Sequence, residues 1–258
     1  MRISSLFLAL AVVAVSLTGC ENKNTDPDPV AQVGEMDIEL DHVVGTSSLV
    51  RDAATPNYTT PSGDQFSVSV FRYYISNIKL KKADGTEYAQ PESYYLIDDT
   101  KAASKRLALK NIPVGDYTGL TFTIGVDSAR NMSGAQQGAL AQSDMFWTWD
   151  SGYVFMKLEG RSPQANAGGF SYHIGGFKKP NIAMRTVSPA LPTGVKILVR
   201  PDHTPEVHMK VDVMKLLTGP TTVRFATFAT AHMPGAAAVQ LANNYAAGMF
   251  SIDHIHAN

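Results

Sequence analysis

Cysteine is almost absent from this 258-residue chain: Cys20 is the only one. A single thiol permits no internal disulfide, no Cys-based zinc site and no iron–sulfur cluster. Charge is also scarce and balanced, with 22 basic and 23 acidic residues and no run of either sign. Nucleic-acid binding therefore has no electrostatic footprint. The chain lacks a Gly-x-Ser-x-Gly elbow, a phosphate-cradling glycine loop and a dinucleotide fingerprint. Asp98, Asp99, Asp127, Asp144 and Asp150 are scattered through loops, where aspartates serve turns. No nucleophile–base set is visible, and the expectation is a protein that is not an enzyme.

Long apolar runs are missing too, except at the start. Arg2 is followed by an apolar stretch from Leu6 to Leu17, too short to span a bilayer comfortably. Leu17-Thr18-Gly19-Cys20 then matches a bacterial lipobox, in which the leader is cut before a cysteine that becomes lipidated. Residues 1–19 thus read as a lipoprotein signal peptide. Residues 20–34, polar and rich in Pro, Asp and Asn, read as the lipidated cysteine and a flexible tether. The expected location is the cell envelope, with the protein anchored to a membrane through Cys20, on the periplasmic side or the surface of the outer membrane.

Residues 35–258 suit one all-β domain. Met36, Ile38, Leu40 and His42 share one side of a first strand, with acidic residues opposite. Phe66 to Leu80 is a long β-rich run closed by Ala83-Asp84-Gly85. Further strands are expected at 94–97, 106–112, 117–126, 153–159, 170–174, 182–186, 195–199, 207–213 and 223–228. That spacing predicts a single-domain β-sandwich with Greek-key-like connections. Gly235 to Gly248 reads as a short helix before a strand-like 249–256, and 131–142 as a second irregular helix or a functional loop.

The aromatic and imidazole content is unevenly placed. Both tryptophans fall in Met145-Phe146-Trp147-Thr148-Trp149, and on a regular strand both would face one side. Ile252-Asp253-His254-Ile255-His256 ends the chain's last strand, with two imidazoles on one face, a common first half of a copper or zinc site. His173 opens into Gly175-Gly176, and His42 lies on the apolar side of its strand. His203, His208 and His232 read as structural or exposed. The methionines, though plentiful, form no Met-x-x-Met cluster and read as core filler.

Several segments in fixed order carry a resemblance: Phe71-Arg72-Tyr73-Tyr74-Ile75-Ser76-Asn77-Ile78-Lys79-Leu80, Phe122-Thr123-Ile124-Gly125-Val126-Asp127, the Trp147/Trp149 segment with Gly152-Tyr153, Tyr172-His173-Ile174-Gly175-Gly176 and Asp253-His254-Ile255-His256. Together, across Met36 to His256, they resemble the MbnP-like copper-binding proteins, in the branch found among Bacteroidetes lipoproteins. The resemblance implies an extracytoplasmic copper-binding protein for acquisition, storage or delivery. In methanotroph relatives a tryptophan is oxidised to kynurenine by a di-haem partner of the MauG/cytochrome c peroxidase type. Carried over, Trp147 or Trp149 would be the modified residue, and His42, His173, His254 and His256 the candidate metal ligands. The Gly175-Gly176-Phe177 turn departs from the other branch in having no cysteine-containing continuation. Two rival readings stand beside this one: a surface module binding a ligand or partner through Trp147, Trp149, Tyr153 and Phe155, and plain packing of those aromatics.

Overall fold

Alternation along the first strand, interrupted only at the buried Asp37, sets up the fold. In β1 (Val33–Val44) Met36, Ile38, Leu40, His42 and Val44 are buried, while Glu35 and Asp41 are exposed and Glu39 is half-buried. One face therefore packs inward and the other meets water. The structure, a computed structural model, describes residues 32–134, 136–141 and 144–256. The leader, Cys20 and the tether as far as residue 31 lie outside the described residues. Val33 and Gly34, which composition groups with the tether, already belong to β1. The described residues from 32 onward form one compact unit.

Two sheets make the sandwich. The second sheet is built on β2 (Gln65–Lys82), the long run seen in the sequence. Further along the chain, β3 (Arg106–Pro113) returns to the first sheet and pairs antiparallel with β1. Then β4 (Gly115–Ile124) goes back to pair with β2 on one edge. On the same edge of β2, along its first half, lies β5 (Gly152–Arg161), followed outward by β6 (Gly169–Gly175), while Tyr94–Asp98 takes the opposite edge. Short strands at Arg185–Val187 and Ile197–Val199 extend β4, and Tyr94–Asp98 adds to β2.

The first sheet is completed from the far end of the sequence. Strand β7 (Glu206–Asp212) runs parallel to β1, and β8 (Phe250–His256) runs antiparallel to β7. The order β8–β7–β1 thus joins strands separated by about two-thirds of the chain. Phe250, at the start of β8, ties the sheets together: its ring meets Tyr73 at 5.7 Å and Phe122 at 5.3 Å, both edge to face. Such pairs contribute beyond simple burial and fix the inward phase of β8.

Two helices lie between β7 and β8. The first, α1 (Val213–Thr218), falls where the sequence suggested the strand simply ending. Asp212 accepts a hydrogen bond from the Met214 amide and caps it, and Leu216 and Leu217 bury its face. The second, α2 (Ala236–Ala246), is the expected alanine-rich helix. The strand expected at 223–228 is absent. Its apolar alternation serves a turn instead, in which the Asp64 carboxylate accepts the Phe225 amide hydrogen and pairs with Arg224. Phe225 then stacks on Phe170 at 4.6 Å, so its burial needs no sheet.

Candidate metal centre

The outward face of β7 brings three histidines and two glutamates into one patch. Register pairs Glu39 of β1 with His208 of β7, and His208 with His254 of β8. One step along, Asp37 pairs with Glu206, and Glu206 with His256. Neighbouring strands sit about 4.8 Å apart, so these side chains meet laterally across the sheet.

A bulge decides which way the histidines point. Ile252 pairs with Met209 and His254 with His208, leaving Asp253 as an extra residue on β8. Phe250 is buried and Ile252 partly so, which puts the odd-numbered positions outside in that part of the strand. Without the bulge His254 would continue the inward series with Ile252. The extra residue reverses the phase, so Ile255 packs and His254 and His256 face water.

The resulting geometry is tight. Nε2 of His254 lies 2.9 Å from Nε2 of His256. The His208 and His254 rings stack at 4.4 Å with 11° between their planes, and His256 stands edge-on to both, at 4.8 and 4.5 Å. One nitrogen from each ring lies within 4.8 Å of the others, and Glu39, Glu206 and His208 meet the same limit. Nitrogen ligands at about 2.0–2.1 Å from one ion can be at most about 4.2 Å apart.

Charged neighbours orient the rings. Asp253 accepts a hydrogen bond from Nδ1 of His254 at 2.8 Å and another from Nζ of Lys210 at 2.5 Å. The Lys210 bond, then the His254 bond, hold the Asp253 carboxyl below its ordinary value. With its proton on Nδ1, His254 presents the Nε2 lone pair to the patch, the arrangement in which a carboxylate orients a metal-ligating imidazole. Nε2 of His208 lies 3.5 Å from Glu206 and 3.8 Å from Glu39, and its Nδ1 3.7 Å from Asp41. The hydrogen bond with Glu206, then burial and the Glu206 charge, raise the Glu39 carboxyl. The same bond lowers Glu206 against the effect of burial, with Arg106 assisting.

The other expected ligands lie elsewhere. His42 is on the opposite face of β1, 6% exposed, with Nδ1 2.6 Å from Asp99 and Nε2 2.9 Å from the Tyr73 hydroxyl. Burial lowers its pKa, against the hydrogen bond to Asp99. His173 belongs to the second sheet, where Nε2 is 2.6 Å from Glu159 and 3.2 Å from Ser171, with the His232 ring at 5.0 Å. Burial lowers its pKa as well, opposed by the bond to Glu159. The structure thus joins His254 and His256 with His208, and joins neither to His42 or His173. His208 was read as structural or exposed. Its outward phase was legible from Val207, Met209 and Val211, but its neighbours depend on strand pairing.

The two indoles part company. The strand around them is only Phe146–Thr148, and the chain turns at Trp149. Trp149, 48% exposed, folds back onto Phe146 at 4.8 Å. Trp147 is half-buried and lies over Gly175 so closely that a Cβ there would sit 2.7 Å from its ring. Gly175 and His173 are two residues apart on one strand, hence on one face and about 7 Å apart. Tyr153 and Phe155 are core residues, 1% and 0% exposed, so of the four aromatics of the platform reading Trp149 alone is exposed.

An all-β sandwich with a solvent-facing histidine patch is the class that fold and site define. A sequence model of the MbnP family matches residues 33–234, and the chain belongs to that family. The solved structure of MbnP from Methylosinus trichosporium is similar with a TM-score of 0.53 at 14% identity, over 86% of this chain and 98% of that one. At that identity the likeness shows a common fold. No curated protein matches. His208 falls within the family match, whereas His254 and His256 lie beyond it, on β8.

Proposed function

We propose that this protein is a lipid-anchored, non-catalytic metal-binding protein of the bacterial envelope that binds copper at the His208–His254–His256 patch. The observation that carries this reading is the meeting of three imidazoles from two adjacent strands, one of them oriented by Asp253. Imidazole suits copper and zinc, and family membership favours copper. The half-open position of the patch, with the His254 side chain 44% exposed, suits acquisition or delivery, because an exchanging partner can reach the ion. Membrane attachment would run through Cys20 of the lipobox. A di-haem oxidase is the proposed partner for tryptophan oxidation. Trp147 is the better candidate than Trp149, since it shares a strand face with His173 through Gly175.

Copper titration of the full chain beside its His254→Ala/His256→Ala variant tests the site. The expected result is sub-micromolar binding by the parent, weakened at least 100-fold in the variant. Equal binding by both would move the site away from β8, and no binding by the parent would remove the proposal. Intact-mass measurement after co-expression with such an oxidase reports conversion at Trp147, and a Trp147→Phe variant carrying the same mass change would sink that assignment.

A further inference from the structure

The second sheet carries a recess on its outward face, on the other sheet from the histidine patch. Tyr73 points inward to His42, so its neighbour Tyr74 points outward. The Tyr74 hydroxyl donates to the Ala139 carbonyl at 3.1 Å, and the Tyr153 hydroxyl donates to that of Leu140. These two bonds hold Gly138–Leu140 as the floor of a cavity of about 490 Å³. Its walls are Glu92, Tyr94, Arg130, Ser133, Gln136 and Gln137. Amide, guanidinium and carboxylate groups beside one aromatic ring suit a ligand rich in hydroxyls. An apolar ligand calls for a pocket lined mainly by hydrophobic side chains.

Arg130 is set in place by the protein itself. Its amide donates to the Asp127 carboxylate at 3.1 Å, and its guanidinium lies over the Tyr94 ring at 5.2 Å. Tyr94 is fixed in turn, its hydroxyl donating to Asp127. At its outer edge the guanidinium donates to Gln136 at 3.3 Å through Nη1 and to Glu92 through Nη2. The Glu92 side chain is 77% exposed, and an ion pair standing that far into water is weak and readily exchanged. Glu92 also follows Pro91 in a turn with a φ of +48°, a position that favours glycine. A non-glycine residue held in that region points to a role for its side chain, and its charged contact is Arg130.

We propose that this recess binds a small hydroxylated carboxylate, with Arg130 as the anion's partner and Glu92 as the internal carboxylate that the ligand displaces. The ligand's carboxylate takes the guanidinium in the paired geometry that arginine offers. Its hydroxyls exchange hydrogen bonds with Gln136, Gln137 and Ser133, which supply both donors and acceptors. A free hydroxy acid and the uronic acid unit of a polysaccharide share this chemistry, and neutral sugars lack the charge.

Isothermal titration of the full chain with D-galacturonate, citrate and D-galactose tests the site, beside the variants Arg130→Gln and Glu92→Gln. The better of the two acids should bind at least about tenfold more tightly than galactose, the discrimination expected of a charge-assisted pair. Citrate ahead of galacturonate would identify a free hydroxy acid as the source, and the reverse order a polysaccharide unit. Arg130→Gln, planar but uncharged, should weaken acid binding by about tenfold or more. Glu92→Gln, which removes the competing charge, should strengthen it by about two- to fivefold, the scale of an exposed ion pair. Thermal unfolding checks the fold of each variant, and the comparison with galactose needs the parent alone. Equal binding of galactose and the acids, unchanged affinity in Arg130→Gln, or no binding of either acid at millimolar concentration would overturn the site. Unchanged affinity in Glu92→Gln would overturn its part as the displaced group.

Discussion

Strand β1 serves histidine chemistry on both its faces, and the two environments contrast. Inward, His42 has each ring nitrogen committed to a fixed protein partner, Asp99 and Tyr73, and Arg51 holds the far oxygen of Asp99 at 2.6 Å. Outward, Glu39 leads to His208, His254 and His256, whose nearest polar neighbours include one another. Satisfied buried polar groups rigidify a core. Imidazoles that converge at the surface keep lone pairs that an ion can take without breaking core hydrogen bonds. The difference teaches that hydrogen-bond accounting separates a structural histidine from a ligand better than its position in an apolar pattern does.

Removing the inward histidine should produce the largest effect. His42→Leu fills much of the volume but strips a partner from the largely buried Asp99 and from the Tyr73 hydroxyl. Leaving a buried carboxylate and a buried hydroxyl without this partner costs about 1–3 kcal/mol each, more for the charged group. Urea denaturation should show that loss, while copper affinity stays at the parent value. A loss below about 1 kcal/mol, within the range of surface pairs, would erase the contrast, as would a large fall in copper affinity.

On the outer face the corresponding probe is Asp253→Asn. The amide still fits the bulge but no longer offers a carboxylate to Nδ1 of His254. Partners that orient a ligating histidine are worth about 10–100-fold in metal affinity. Folding stability should change by no more than about 0.5 kcal/mol, as for exposed substitutions generally. Copper competition titration and thermal unfolding measure the two quantities. Unchanged affinity would mean that the bulge supplies position without tuning the ring.

How much of this was legible in the sequence follows from the range of the interactions. The alternation of β1, the long β2 run and helix α2 are written in local patterns, and they formed as expected. The His254/His256 pair was visible for the same reason, since alternation within one strand puts both on one face. His208 was hidden because its neighbours come from residues 37–43 on one side and 250–256 on the other, and no local signal encodes either pairing with 206–212. His42 misled in the opposite direction: its apolar face announces burial, and Asp99, 57 residues away, makes that burial tolerable. The tryptophans were expected to share a side, and a turn at Trp149 separates them.

The smallest effect concerns protons, and it sharpens the same contrast. In the folded protein burial holds the His42 pKa below 6.5, its ordinary value, despite the opposing hydrogen bond that its ring donates to Asp99. Above pH 6.5 the ring is neutral in both folded and unfolded chains, and its buried contacts contribute fully. As pH falls below 6.5 the unfolded chain takes up a proton first, so this stability is lost progressively until pH passes the folded pKa. His173, also lowered chiefly by burial, adds a contribution of the same sign. Asp99, held below its ordinary value by its bonds to His42 and Arg51 although burial opposes them, acts in the same direction but only below about pH 4. Unfolding free energy measured between pH 7.5 and 5 should therefore decline in the metal-free parent, and decline less steeply in His42→Leu, where His173 remains. An identical slope in both proteins would mean that the buried ring does not drive the decline, and the inner face would lose its claim to a neutral, fully bonded histidine.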